Sequence, residues 1–145
     1  MFKKILLPTD GSELSERAVL AGVALAREVG AEVVGLSVAP AFHTLTLDPE
    51  MLEETAEQFH QSAKLRSARY LSFVADSANS AGVRYSGETG VSDDPWHVII
   101  DTAQLRQCDL VVMASHGRRG IKGALLGSET QKVLVHSKVP VLVYR

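Results

Sequence analysis

Short apolar runs of strand length alternate with amphipathic stretches of helix length along the whole chain. The runs Lys4–Pro8, Glu32–Val38 and Leu110–Ala114 are apolar on both sides, which is typical of strands buried inside a parallel sheet. A weaker strand is expected over Val83–Gly90, and a final strand over Val139–Tyr144. Strands that alternate with helices predict an α/β fold, with a five-stranded parallel sheet and helices on both faces.

The helical stretches begin and end at recognisable residues. Ser12 is expected to cap a first helix that stops at Gly30. A long second helix is expected from about Glu50 to Ala81, after a loop over residues 39–49, and Asp94-Pro95 should open a third. The sequence also predicts a fourth helix from Ser128 to His136, with Ser128 and Gln131 as an S-x-x-Q capping box; Arg66 and Ser67 interrupt the apolar stripe of the long helix.

Size and charge exclude several classes of protein. A length of 145 residues predicts one domain, and a net charge of −2 argues against sequence-independent binding to nucleic acid. The apolar runs are too short for a membrane span, and the N-terminal segment lacks the pattern of a secretory signal. The lone cysteine, Cys108, is interpreted as a packing residue. We therefore expect a cytoplasmic protein with no membrane partner.

The segment after the fourth predicted strand combines glycines with basic residues. Gly117, Gly120, Gly123 and Gly127 alternate with Arg118, Arg119 and Lys122, just before the fourth helix. Glycine allows backbone N–H groups to approach a ligand, and a helix N-terminus offers unpaired donors with the positive end of its dipole. The segment is a candidate phosphate cradle, although neither GxxxxGK[ST] nor GxGxxG occurs. A capped helix beside a solvated basic loop remains the alternative.

The spacing Ala114-x2-Gly117-x9-Gly127-Ser128 resembles the glycine signature of the ATP-binding branch of the universal stress protein family. The opening Ile-Leu-Leu-Pro-Thr-Asp-Gly-Ser and the closing Val-Pro-Val-Leu-Val extend the likeness over residues 1–145. The resemblance implies an adenine nucleotide alpha hydrolase-like, Rossmann-like fold with strand order 3-2-1-4-5. The family has glycine where this chain has Ala114, and alanine should be tolerated there if its backbone has ordinary strand geometry.

The resemblance also implies a nucleotide site that holds ATP, ADP or AMP, with Mg²⁺ or Mn²⁺ bound through the phosphates. Asp10 would lie against ribose and adenine, although it could equally be a turn residue, and Val38 would read the adenine edge. His116 could contact phosphate or serve only as a turn residue. The implied nucleotide-binding residues are Pro8, Thr9, Asp10, Val38, Met113, Ser115, His116, Gly117, Arg118, Gly127, Ser128, Glu129 and Thr130.

The last predicted strand indicates a partner. Pro140 cannot donate a ladder hydrogen bond, which favours an edge position, yet Val139, Val141, Leu142 and Val143 are too apolar for a bare edge. Pairing with the same strand of a second copy would resolve this conflict, and the resemblance implies a homodimer of that kind. An edge covered by the preceding helix is the alternative.

Three functions remain open at this stage. The leading one is an ATP-binding regulatory or sensor module of the stress response. A weak ATPase, or a nucleotidyl or phosphoryl transferase, is the second, although no general base is identifiable. A nucleotide-free dimeric interaction protein is the third. His60 and Tyr70 on the long helix are interpreted as surface or interface residues, and Trp96 as a cover for the sheet edge or the crevice mouth.

Overall fold

The computed structural model describes residues 1–44, 47, 55–118, 120, 123 and 125–145. Within them the strands and helices alternate in the predicted order. The strands are β1 (Lys4–Pro8), β2 (Glu32–Ala39), β3 (Tyr85–Val91), β4 (Leu110–Ala114) and β5 (Val141–Tyr144). The helices are α1 (Glu13–Val29), α2 (Ala56–Ser80), α3 (Pro95–Leu105) and α4 (Ser128–His136).

All neighbouring strands are parallel, and the sheet order is β3-β2-β1-β4-β5. The predicted fold class and strand order are therefore confirmed. In the middle of the sheet, Leu6 of β1 pairs with Val34 of β2 and Val111 of β4. The chain moves outward from β1 to β3 and then returns to β4, so the strand order reverses between β1 and β4. Ligands of open α/β sheets bind beyond the carboxyl ends of the strands at such a point.

Two apolar clusters, one on each face of the sheet, hold the layers together. Ile5 and Leu7 of β1 pack toward α1 and α2, whereas Leu6 between them packs toward α3 and α4. This alternation follows from the two-residue period of a strand. Ile5, Leu6 and Leu7 are all fully buried, as the continuous apolar run predicts for a central parallel strand.

Most predicted boundaries hold, and the exceptions have local causes. Ser12 caps α1, its side chain accepting the Ser15 N–H, and the helix ends at Gly30 with a φ of 70°. Strand β3 starts later than expected, because the Val83 N–H donates to the Ala78 carbonyl and closes the end of α2. Strand β5 also starts late, because the Ser137 hydroxyl binds both the N–H and the carbonyl of Val139.

The predicted start of the long helix can be compared with the structure only in part. The expected start near Glu50 lies outside the described residues, as does most of the segment 45–54. The described helix begins after Thr55, which forms a reciprocal capping box with Gln58. Helix α3 starts at Pro95, as predicted. Across the described ranges, no helix has the length and apolarity that crossing a bilayer requires.

Candidate functional site

A cavity of about 650 Å³ opens at the carboxyl edge of β1, β2 and β4, where the strand order reverses. The segments that follow these strands and one face of α2 line it, together with Ser92 and Asp93 after β3 and Pro95 and Ile99 of α3. The structure brings the following predicted site residues to this cavity: Pro8, Thr9, Asp10, Val38, Met113, His116, Gly117, Arg118, Gly127, Ser128, Glu129 and Thr130. Ser115 does not line it; that residue is buried, and its carbonyl accepts the Gly127 N–H at 2.7 Å.

Asp10 joins the turn after β1 to the loop after β4. One carboxylate oxygen accepts the Ser12 N–H at 3.0 Å, and the other accepts the Arg118 N–H at 2.6 Å. Beside it, the hydroxyls of Thr9 and Ser15 share a buried hydrogen bond of 3.0 Å. The carboxylate therefore fixes the distance between two loops that are more than a hundred residues apart in the chain.

The ionisation of Asp10 reflects these contacts. Burial pushes the pKa of Asp10 upward, but hydrogen bonds from Ser12, from the Arg118 backbone and from Ser15 outweigh it, so the pKa lies below its ordinary value of 3.8. Asp10 is accordingly a carboxylate at neutral pH. A partly buried carboxylate that accepts backbone N–H groups makes charge-assisted hydrogen bonds, which are stronger than neutral ones.

The loop after β4 approaches Asp10 closely, and this explains one of its glycines. A Cβ atom on Gly117 would lie 2.6 Å from a carboxylate oxygen of Asp10. The Gly120 N–H donates to the Gly117 carbonyl at 3.1 Å, so the loop folds back on itself. Two of the basic residues predicted for the phosphate cradle, Arg119 and Lys122, lie outside the described residues.

The start of α4 differs from the prediction in a way that matters for binding. The N-cap is Gly127 and no side chain caps it, so the predicted Ser128–Gln131 capping box is wrong. The Gly127 N–H is drawn to the Ser115 carbonyl, and the Gln131 amide donates to the Leu126 carbonyl instead. In the part of the chain that the structure describes, the N–H groups from Ser128 to Thr130 meet no acceptor. They are open donors at a positive helix end.

Ala114, where the family signature has glycine, has ordinary backbone geometry. It is the last residue of β4 and pairs with Tyr144 of β5. Among the described residues, the only non-glycine with a positive φ is Gln107. The carbonyl of Ala114 accepts the Thr130 hydroxyl at 3.0 Å, which ties α4 to the strand. Ala114 therefore does not adopt the left-handed backbone conformation that would disfavour alanine.

Sequence reasoning missed the wall contributed by α2. Ala63, Arg66, Ser67 and Tyr70 line the cavity; Tyr70, interpreted as a surface or interface residue, is half-buried there. The available signal was the interruption of the apolar stripe by Arg66 and Ser67, because polar residues on a buried helix face indicate a polar neighbour. That neighbour could not be identified from the sequence.

The remaining expectations concern packing. Cys108 is buried as predicted, and burial raises the pKa of its thiol to about 11. Trp96 packs against the cluster under α3 and stacks on His136, with 4.8 Å between ring centroids. The backbone N–H of Trp96 donates to a carboxylate oxygen of Glu129 at 2.9 Å. The edge position of β5, inferred from Pro140, is also observed.

Together these features define a class of protein: a parallel α/β domain whose crevice, at the reversal of strand order, offers open backbone donors to an anionic group. Comparison with known proteins agrees with this class. The model of the universal stress protein family matches residues 1–145, and the chain belongs to that family.

Two relatives illustrate the likeness. Universal stress protein YxiE of Bacillus subtilis is 32% identical over 150 residues, which cover 100% of both chains. Universal stress protein MJ0531 of Methanocaldococcus jannaschii is 30% identical over 153 residues, which cover 100% of this chain and 83% of the relative.

Solved structures give the same result. MJ0577 of Methanocaldococcus jannaschii superposes with a TM-score of 0.82 at 28% identity, covering 99% of this chain and 96% of that one. A universal stress protein in complex with cAMP has a TM-score of 0.73 at 23% identity, covering 99% and 97% of the two chains. One from Archaeoglobus fulgidus in complex with dAMP has a TM-score of 0.68 at 17% identity, covering 100% and 98%. These two share the fold with this chain, and both bind an adenine nucleotide.

Proposed function

We propose that this protein is a single-domain, cytoplasmic universal stress protein that binds ATP, or another adenine nucleotide, as a regulatory or sensor module of the stress response. The observation that carries the proposal is the open start of α4. Its first-turn N–H groups face a cavity large enough for a ligand and have no side-chain cap. The lone buried cysteine is typical of a reducing compartment.

Within the cavity, the phosphates would occupy the start of α4. The open N–H groups from Ser128 to Thr130 would bind them, as anions bind at helix N-termini, and Gly117 and Gly127 would let the loop approach closely. Val38, at the end of β2, and Pro8 to Asp10, after β1, would flank adenine and ribose. Nucleotide complexes of two fold neighbours support this assignment of ligand class.

A divalent cation fits this site only together with the phosphates of a bound nucleotide. No cluster of three or more His, Cys, Asp or Glu side chains in the described part of the chain could hold a metal ion. Mg²⁺ commonly combines one or two carboxylates with substrate phosphates. Asp10 is the carboxylate that we assign to such a role, since it lies in the cavity wall and is ionised at neutral pH.

Binding rather than catalysis is the favoured activity. Hydrolysis needs a group that positions or deprotonates water near the phosphates. Asp10 already accepts backbone N–H groups with both oxygens, and Glu129 accepts the Trp96 N–H. At most, slow hydrolysis is expected. Rapid turnover that Asp10→Ala abolishes would establish an enzyme instead.

The decisive experiment is to extract and identify the nucleotide from natively purified protein, and to titrate the apo protein with ATP. A ligand at about a hundred times its Kd should raise the Tm by roughly 5–10 °C. Gly127→Val is the matched variant, because a Cβ there would lie 3.2 Å from the Ser115 carbonyl oxygen. Loss of the shift in this variant supports the proposal. If no nucleotide is extracted and ATP leaves the wild-type Tm unchanged, a nucleotide-free interaction protein is indicated.

We also propose a homodimer through the edge of β5. Strand β5 pairs with β4 on one side only, and Leu142 is 41% exposed despite being apolar. An apolar, unpaired edge strand favours association with another strand. Residues Val139, Val141, Leu142 and Val143 would form the contact. Sedimentation should show a dimer that Leu142→Arg converts to monomer; a wild-type monomer contradicts this part of the proposal.

A further inference from the structure

One face of α2 forms a wall of the cavity that the glycine signature does not include. Ala63, Arg66, Ser67 and Tyr70 follow the spacing of a single helix face, and all four line the cavity. Ser67 is fixed against the sheet, since the Ser37 hydroxyl donates to it at 3.0 Å. Arg66 and Tyr70 are only half-buried, so α2 presents a cation and an aromatic ring to the cavity.

Tyr70 contacts both loops of the opposite side. Its ring lies where a Cβ of Gly11 would be, with Cε1 only 2.1 Å from that position. The Arg118 guanidinium lies over the same ring, 5.3 Å from its centroid, while the Arg118 N–H is held by Asp10. A guanidinium held over an aromatic face by cation–π attraction still has N–H groups that can bind an anion. Arg118 is thus held at both its backbone and its side chain.

The carboxylates that line the cavity have hydrogen-bond donors, whereas its two described arginines have no ion-pair partner. Each carboxylate has its own donors: Asp10 has backbone N–H groups, Asp93 has His43 at 2.5 Å, and Glu129 has the Trp96 N–H. By contrast, neither Arg66 nor Arg118 forms an ion pair with any residue that the structure describes. Two guanidinium groups that line one cavity without an ion-pair partner favour the binding of an anion in that cavity.

We propose that Arg66 and Arg118 form a second phosphate position, next to the one at the start of α4, and that Tyr70 is a positioning residue for Arg118. This inference rests on the proposed nucleotide site. A monophosphate places its only phosphate at α4, whereas a diphosphate or triphosphate reaches the two arginines as well. The site therefore prefers nucleoside di- and triphosphates to the monophosphate, and Arg66 determines that preference.

The test compares affinities for AMP, ADP and ATP by calorimetry, in wild type and in Arg66→Gln. The variant should bind ATP and ADP about tenfold more weakly, with AMP affinity changed less than about twofold. Lys64→Gln is the matched control: it removes the same charge from an exposed residue of α2 that does not line the cavity. It should change none of the three affinities.

The role of Tyr70 is tested by two substitutions. Tyr70→Phe keeps the aromatic face and should keep the ATP-to-AMP affinity ratio, whereas Tyr70→Leu should lower the ratio. In an Arg118→Gln background, Tyr70→Leu should lower it no further, since there is no guanidinium left to position. A merely structural role would weaken all nucleotides alike and leave the ratio unchanged.

The outcomes separate this inference from the proposed function. If wild type binds ATP but Arg66→Gln has the wild-type ratio, the second phosphate position is wrong and the nucleotide site stands. If wild type binds AMP more tightly than ADP and ATP, the proposed preference for di- and triphosphates is overturned. If wild type binds none of the three nucleotides, the proposed function fails and this inference fails with it.

Discussion

Two walls of the cavity differ in their construction: one presents backbone groups, and the other presents side chains. The glycine-loop wall, formed in the described part of the chain by residues 116–118, 120 and 126–130, uses the backbone: the Arg118 N–H binds Asp10, the Gly127 N–H binds Ser115, and the start of α4 is open. The α2 wall, formed by Ala63, Arg66, Ser67 and Tyr70, uses side chains. A backbone-built wall depends on side chains being absent, whereas a side-chain-built wall depends on which ones are present. The first should govern whether a ligand binds, and the second which ligand.

The largest effect is expected from Gly117→Ala in the glycine-loop wall. The new methyl group would lie 2.6 Å from the Asp10 carboxylate, so the Asp10–Arg118 contact must open. Overpacking of this kind costs about 1–3 kcal/mol, and loss of the loop geometry should weaken nucleotide binding by about a hundredfold. Urea unfolding and calorimetric titration measure the two effects.

A double variant identifies the cause of that loss. Asp10→Ala combined with Gly117→Ala removes the colliding carboxylate, and should recover part of the stability without recovering the affinity. If Gly117→Ala alone binds nucleotide like wild type, the glycine-loop wall does not depend on a missing side chain, and the contrast between the walls is lost.

The next effect concerns the contact between the α2 wall and the turn after β1. In Gly11→Ala the methyl would overlap the Tyr70 ring, and the backbone there has a φ of 74°. Gly30→Ala is a close control, because its φ is 70° and its Cβ would have no heavy atom within 4 Å. Both should lose about 1 kcal/mol from left-handed backbone strain, and Gly11→Ala about 1–3 kcal/mol more from displacement of the ring. Equal losses of unfolding free energy would mean that the ring moves freely.

The same contrast explains how much could be predicted from the sequence. The parallel sheet and the glycine-loop side followed from local patterns: apolar runs, turn residues and glycine spacing. The strand order came from the family resemblance. Even on the glycine-loop side, the cap of α4 was misassigned, because the hydrogen bond from the Gly127 N–H to the Ser115 carbonyl is a tertiary contact. The α2 wall was missed, since the contacts of Tyr70 with Gly11 and Arg118 join three segments that are distant in the sequence. The break in the apolar stripe of α2 indicated a polar neighbour but could not identify it.

Asp10→Asn should have a smaller, pH-dependent effect. The folded-state pKa of Asp10 lies below its ordinary value of 3.8, so the ionised carboxylate stabilises the folded state above that value, and the contribution is lost as the pH falls through the folded pKa. Near neutral pH the variant should be less stable by about 1 kcal/mol. The difference should shrink on acidification, as thermal unfolding over a pH series would show. A pH-independent difference would exclude the charge as its source.

The smallest effect should come from Glu129→Gln, which changes a charge on the glycine-loop wall without changing its backbone. The amide oxygen can still accept the backbone N–H of Trp96. The loss of the negative charge beside the open start of α4 favours binding of an anionic ligand. The Glu129 side chain is 34% exposed, so screening limits the gain in nucleotide affinity to about twofold, and salt should erase it. Lys132→Gln, which removes the cation 3.5 Å from Glu129, should shift the affinity slightly the other way. Fluorescence of Trp96, the only tryptophan, provides the titration signal. If Glu129→Gln abolished binding, the Glu129 side chain would itself be an essential contact, and the glycine-loop wall would no longer be a backbone site.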